Sequence, residues 1–336
     1  MRLPAAVKAR IVQAKLAHLA RSKRPIVLGP FRSEVGFEQL YWVPFLTWAL
    51  KKYKIGPERC LALSRGGMGL LYPAAQHRDL YAMRGVDGVR MENQRDYATR
   101  GLLKQTTVTA WDRTVADEAA KDVFGAGSHA ALLHPSLMYW LLAEFWEERQ
   151  TLQFASRFLD FAPVPEAPLP PGWTLPPSFL AVRIYERATL PLTPDVRALC
   201  TEWLSHLAAR QPLVVLRQPY FVDDHLDFVP SGPNITVVPD TPPEQNLILQ
   251  AAVLGRCTAF VGTYGGVAQW ALRYRKPSLS LYTQFGGTAL AHWQLSQVLA
   301  AQLKVPFQVM DVRLMALWQP TLLPEKPPVV QVPVLV

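Results

Sequence analysis

The sequence predicts an α/β protein of two domains, each built on a parallel sheet, facing each other across a cleft. Three observations carry that expectation. The chain has 336 residues, a length that at ~100–200 residues per domain suits two domains. Seven prolines fall between Pro163 and Pro177 and divide it; proline fixes φ and lacks a donor, so this stretch is neither helix nor central strand. Beyond it, apolar runs of strand length alternate with helix-length runs, the pattern of parallel strands joined by crossovers.

Element by element, residues 5–21 have helix-forming composition, with Val12, Leu16 and Leu19 at helical spacing and Lys8 and Lys15 intruding beside them. Such a helix either docks on the body or rests on an anionic membrane surface. Residues 26–29 read as a short buried strand, 30–36 as a turn, and 38–53 as an aromatic helix. Lys51, Lys52 and Lys54 at its end suit the negative pole of the helix dipole. Residues 61–64 form a second strand, followed by the turn Arg65-Gly66-Gly67. Residues 75–130 show no strong periodicity, and 133–145 read as a dense apolar helix. After the prolines, strands are expected at 179–185, 213–216, 235–238, 259–262, 278–282 and 307–310. Helices are expected at 194–210, 244–254, 265–274 and 288–303. The resulting domains are a basic helical arm (1–24), a first α/β domain (25–162), a linker (163–177), a second α/β domain (178–318) and an extended tail (319–336). In such sheets ligands bind outside the carboxyl ends of the strands.

Half the residues are apolar, 18% are charged and 10% aromatic, which excludes a disordered chain, a disulfide-stapled mini-protein and a collagen-like repeat. The net charge of +9 is uneven. Seven basic residues and no acid fall in the first 24, and the other 312 residues hold 28 basic and 26 acidic side chains. A long basic groove for nucleic acid is therefore not expected. Three scattered cysteines, Cys60, Cys200 and Cys257, form no metal-ligand pattern and read as free buried thiols. There is no signal-peptide pattern and no uninterrupted apolar run of ~20 residues, so the expectation is a soluble, cytoplasmic protein.

The clearest candidate for chemistry is the run from strand residue Ala259 through Gly262-Thr263-Tyr264-Gly265-Gly266 into a helix. Glycines there allow a sharp turn and close approach, and exposed N–H groups at a helix start favour phosphate. The same sequence also suits a tight turn that binds nothing. Glu244, Gln245 and Asn246, after another strand, are placed to meet a ribose or to serve as ordinary first-turn residues. Arg183, in a buried strand, needs an anionic partner; a diphosphate, Glu186 or an internal aspartate would each serve, and Arg187 competes for the same role. Asp223, Asp224 and His225 fall at a strand end, as a solvated loop or a weak metal motif. In the first half, Glu34 and Glu38 are candidate general bases, Arg65-Gly66-Gly67 could hold an anionic acceptor, and His134 before Pro135 reads as a core histidine.

These residues resemble a known family. The runs Gly29-Pro30-Phe31-Arg32-Ser33-Glu34-Val35-Gly36-Phe37-Glu38 and Tyr41-Trp42-Val43-Pro44-Phe45-Leu46 carry the first part. Ser64-Arg65-Gly66-Gly67, His134-Pro135-Ser136-Leu137-Met138-Tyr139 and Phe260-Val261-Gly262-Thr263-Tyr264-Gly265-Gly266 complete it. Together they look like GT-B glycosyltransferases of bacterial surface and capsular polysaccharide clusters, and the second half is similar to fucosyltransferases. The resemblance spans about residues 25–310. It implies a GT-B-like fold of two Rossmann-like domains, the first binding a glycan or lipid-linked glycan acceptor and the second a nucleotide-sugar donor. Arg183 would neutralise the diphosphate, with Tyr185 beside it and Gly262, Thr263, Tyr264, Gly265 and Gly266 forming its cradle. Glu244, Gln245 and Asn246 would lie near the ribose. Glu34, then Glu38, would be the base for hexosyl or deoxyhexosyl transfer. Gly29, Arg32, Ser33, Arg65, Gly66, Asp223, Asp224 and His225 would line the acceptor side or cleft. No metal and no cofactor are implied, the arginine and helix terminus stabilising the leaving group. The histidine-x-arginine pattern of fucosyltransferases reads Ala181-Val182-Arg183 here, so a fucose donor is not implied. Residues 1–24 add an expected contact with an anionic inner-membrane surface. The alternatives are a nucleotide-sugar epimerase on the same architecture and a non-catalytic nucleotide-sugar or polysaccharide-binding protein.

Overall fold

The computed structural model describes residues 3–101, 105–220, 226–284 and 289–317. The first lobe opens with α1 (Ala5–Arg21) and β1 (Ile26–Leu28), followed by α2 (Val35–Phe37), which passes through a π-helical turn (Glu38–Trp42) into α3 (Val43–Tyr53). Then come β2 (Cys60–Ser64), β3 (Gln76–Asp79), α4 (Leu80–Arg100), α5 (Ala110–Phe124), β4 (Ala131–Leu133), α6 (Ser136–Trp146) and α7 (Leu152–Ser156). The strands form a parallel sheet in the order β3-β2-β1-β4, with Leu28 opposite Ala62 and Leu133.

Residues 163–177 carry no helix or strand. The second lobe contains β5 (Leu180–Glu186), α8 (Pro194–Ala208), β6 (Leu213–Val215), β7 (Leu226–Phe228), β8 (Ile235–Val237) and α9 (Pro243–Arg256). It continues with β9 (Ala259–Thr263), α10 (Gly266–Arg273), β10 (Ser278–Tyr282), α11 (Ala289–Leu303) and β11 (Phe307–Asp311). Its parallel sheet runs β11-β10-β9-β5-β6-β8, and β7 pairs antiparallel with β5. The expected α/β architecture of two parallel sheets is therefore present.

Strand period places side chains alternately on the two faces, and both sheets are covered on both. Val27, Leu61 and Leu63 meet α4 and α5 on one side of the first sheet. Ile26, Leu28 and Ala62 face the other side with α1, α3 and α6. In the second sheet Leu180, Val182 and Ile184 pack on α8, whereas Ala181, Val214 and Phe260 face α9 and α10. One apolar cluster runs without a break from Phe37, Tyr41 and Trp42 in the first lobe to Val267, Trp270 and Ala271 in the second. Such an apolar junction holds the lobes together more firmly than a proline linker alone.

One local expectation needs correction. Leu133 ends strand β4 rather than beginning a helix, with His134 and Pro135 separating β4 from α6. The unreadable region 75–130 holds β3, α4 and α5. The tail 319–336 lies outside the described residues.

The basic helix takes the docked form. Val12 and Leu16 are 0% and 1% exposed, and Lys8 is buried, its Nζ donating to Glu144 Oε1 at 2.5 Å. Arg59 donates to the carbonyls of Leu19, Ala20 and Arg24 and ties the helix end down. Deleting residues 1–24 is therefore expected to destabilise the protein. Re-exposing the faces filled by Val12 and Leu16 costs roughly 3–6 kcal/mol, measurable as a lowered urea midpoint. An unchanged midpoint would show α1 to be a mere appendage.

Candidate active site

The carboxyl ends of β1 and β5 and the start of α10 converge between the lobes. Glycine makes that approach possible. A Cβ on Gly266 would lie 2.5 Å from the Gly36 nitrogen, and one on Gly36 would lie 2.9 Å from the Gly266 Cα. At Gly265 a Cβ would fall 2.2 Å from the Tyr185 hydroxyl. Gly266 is thus needed for lobe packing, and Gly265 for the approach of Tyr185.

Beside this contact lies a cavity of about 160 Å³, lined by Glu34, Phe37, Arg187, Thr189, Gly265, Gln269 and His292, among others. A second recess of about 30 Å³ is walled by Glu34, Arg183, Tyr185, Arg187 and Gln218. Glu34, Gly36, Arg187 and Gly266 border both, so the two form one cleft. At this size the cleft encloses only part of a small organic ligand, below the ~300–1,000 Å³ of pockets that bury a whole one.

Glu34 sits at the N-cap of α2 in extended conformation and makes no capping hydrogen bond. Its half-buried carboxylate has no hydrogen bond or ion pair among the described residues. The start of α10 brings the positive end of its dipole to the opposite wall. Arg187 and the buried Arg183 add positive charge. Thr189 is buried, its Oγ1 without a hydrogen-bond partner among the described residues, and lines the larger cavity. His292 holds Tyr41 through Nδ1 at 2.7 Å and stands edge-on to Phe37. Burial pushes the Tyr41 phenol well above its ordinary pKa, so it keeps its proton. The arrangement offers one carboxylate acceptor facing a cluster of positive and hydrogen-bonding groups.

Of the residues singled out from sequence, Glu34, Arg183, Tyr185, Tyr264, Gly265 and Gly266 meet in this cleft. Arg183 has an internal partner. Its Nε donates to Asp227 Oδ1 at 3.1 Å, and its terminal nitrogens reach Gln250 and Gln218. Thr263 is consumed by the fold, its Oγ1 accepting from the Tyr185 N–H and donating to the Tyr185 carbonyl, both at 2.9 Å. A Cβ on Gly262 would meet the Arg183 carbonyl, so that glycine serves the pairing of β5 with β9. Asn246 accepts from Gln250 at 2.8 Å inside α9. Gln245 is exposed and Glu244 half-buried at the start of α9, and neither borders the cleft.

Glu38 does not face the cleft. It is 0% exposed, and its carboxylate accepts from Ser64 at 2.5 Å, Tyr72 at 2.6 Å and Arg65 at 2.9 Å. Arg65 also donates to the Ser33 carbonyl. Neither Glu38 as base nor Arg65 as anion holder survives this, because each buried charge already satisfies the other. The Gly66 carbonyl accepts from the Ile248 N–H at 2.8 Å, placing that turn against α9. Arg32, expected on the acceptor side, is 1% exposed and bound by Asp96, Asp112 and Asn93. Ser33 is buried, and Gly29 packs on the Leu63 carbonyl. Asp223, Asp224 and His225 lie outside the described residues.

Thr189, Gln218, Gln269 and His292 also line the cleft but carry no motif in the sequence, and Arg187, which the sequence left level with Arg183, lines both parts of it. Asp227, partner of Arg183, sits on the three-residue strand β7, too short to show alternation. The three cysteines are buried, and burial pushes Cys60 and Cys257 up to about 12 and Cys200 to about 11, which leaves no thiolate nucleophile at neutral pH.

No protein-family model and no curated protein sequence matches the chain. Among solved structures, the E. coli heptosyltransferase WaaC with ADP aligns over 85% of this chain and 92% of its own, at 10% identity and a TM-score of 0.44. The glycosyltransferase SnogD from Streptomyces nogalater aligns over 85% and 86%, at 13% identity and a TM-score of 0.36. The UDP-GlcNAc 2-epimerase from Methanocaldococcus jannaschii aligns over 82% and 91%, at 10% identity and a TM-score of 0.30. At these scores the likeness is one of outline and transfers no activity to this chain.

Proposed function

We propose that the protein is a metal-independent glycosyltransferase of GT-B type, moving a hexosyl or deoxyhexosyl group from a nucleotide-sugar to a hydroxyl of a surface glycan or lipid-linked glycan. The observation that carries this reading is the pairing across one cleft of a lone carboxylate, Glu34, with a positive wall made by Arg187 and the start of α10, beside the Asp227-paired Arg183. Glu34 takes the proton of the acceptor hydroxyl as it attacks the sugar carbon. The positive wall receives the charge that builds on the leaving diphosphate, and fixed donors there favour the transition state over the ground state. Thr189 Oγ1 and Gln269 supply further hydrogen bonds to donor oxygens.

Arg187→Ala tests the donor side without disturbing the Arg183–Asp227 pair. Losing one charge-assisted hydrogen bond of ~1.5–3 kcal/mol is expected to weaken donor binding roughly 10- to 150-fold, read by calorimetric titration with the best donor from a nucleotide-sugar panel. Unchanged affinity removes Arg187 from the site. Donor conversion without acceptor would indicate an epimerase, and binding without turnover a non-catalytic receptor. The exposed basic residues of α1, Arg10, Lys15, His18 and Arg21, support contact with an anionic membrane surface through the outer face of a docked helix.

A further inference from the structure

Away from the interlobe cleft, a groove of about 530 Å³ lies beside β4, between that strand, α1 and the start of α6. β4 is the last strand of its sheet, and no further strand among the described residues covers this side. Leu16, Leu19, Val108, Leu132, Leu133 and Leu137 give the groove an apolar wall. Ala14, Lys15 and His18 border it from α1 and are exposed. No carboxylate lines it among the described residues. The buried imidazole there, His134, faces away from the leucine wall toward Asp112, its Nε2 3.2 Å from Oδ2 without a hydrogen bond, and its Nδ1 accepts from the Ser136 N–H.

This chemistry selects its occupant. A sugar would leave most of its hydroxyls against leucines, with only Lys15, His18 and Ser136 to meet them, and a free phosphate would leave the leucine wall unused. A neutral hydrocarbon would gain nothing from Lys15 and His18. The volume lies within the range of pockets that hold a small organic ligand. We infer that the groove binds an anionic lipid-type amphiphile, with one alkyl chain along the leucine wall and a phosphate head against Lys15 and His18. The groove shares no lining residue with the interlobe cleft; Lys15 and His18 also belong to the face offered for membrane contact, and titration of the soluble chain with monomeric amphiphiles reads the groove apart from both that contact and the transfer reaction.

The test uses the full chain and octyl, decyl and dodecyl phosphate, each below its micelle-forming concentration, followed by calorimetric titration. Affinity is expected to rise about fourfold per added methylene until the groove is filled, and inorganic phosphate alone is expected not to bind. Dodecyl maltoside, with the same chain and a neutral head, should bind at least tenfold more weakly than dodecyl phosphate. Ala14→Trp, which fills the groove from an exposed position, should abolish dodecyl phosphate binding. Lys15→Glu should weaken it about tenfold and leave dodecyl maltoside unaffected. The proposal is overturned if affinity ignores chain length, if inorganic phosphate binds as well as dodecyl phosphate, or if the neutral and charged amphiphiles bind alike. It is equally overturned if a folded Ala14→Trp protein binds dodecyl phosphate as the parent does; the chain-length series on the parent decides the matter should that variant not fold.

Discussion

Glu34→Gln is expected to lower the transfer rate by roughly 10²- to 10⁴-fold, the usual contribution of a positioned general base, with donor affinity unchanged within about twofold. The substitution keeps the shape of the side chain and removes its capacity to take a proton. The backbone at Glu34 gives no competing structural reason for a carboxylate, since the side chain makes no cap bond to α2. Single-turnover measurement of sugar transfer, beside donor titration, separates chemistry from binding. Full activity in Glu34→Gln would eliminate the residue as base and leave no other glutamate or aspartate lining this cleft among the described residues.

The second large effect concerns stability. Asp112→Ala is expected to cost ~3–5 kcal/mol, the penalty of breaking a buried ion pair by removing one partner. Asp112 is 0% exposed, faces the Arg32 Nε at 3.3 Å and His134 at 3.2 Å, and closes a capping box with Thr109 at the start of α5. Burial works against its charge, but the adjoining His134 and the Arg32 charge outweigh it and hold the carboxyl down at about 2. A depressed carboxyl stabilises the folded state fully above its unfolded value of ~3.9 and loses that contribution as pH falls through about 2. The gap in urea midpoint between parent and Asp112→Ala should therefore stay constant above about pH 4 and close towards pH 2. A gap that is absent at pH 7 would contradict the assigned role.

What could be read from the sequence follows from burial. β1, β5 and β9 are covered on both faces, so they appear as continuous apolar runs and were legible. β3 reads Gln-His-Arg-Asp because it is a partly exposed edge strand, and polar edges carry no alternation to detect. α4 is interrupted at Gly85, where φ is +68°, which breaks the helical period. For the site, close approach and buried charge leave a local signature, and the glycine turn and strand-end arginines that carry it, Gly265, Gly266, Arg183 and Arg187, border the cleft. Tertiary partners leave none. Glu34 and Glu38 are four residues apart, but Glu34 precedes α2 in extended conformation, whereas Glu38 lies inside the π-helical turn facing Ser64 and Arg65. That difference decides which of them meets the cleft, and it depends on residues about 27 positions away. His292 was similarly invisible, since its place is set by Tyr41 across the lobe boundary.

The central claim is that the interlobe cleft binds a nucleotide-sugar and hands its sugar to an acceptor hydroxyl. The most direct test is nucleoside diphosphate release from a panel of nucleotide-sugars, measured with and without cell-envelope lipid extract. The account predicts release from one donor class that depends on the acceptor extract and is lost in Glu34→Gln. Binding of no nucleotide-sugar, or conversion of the donor with no acceptor present, would contradict it.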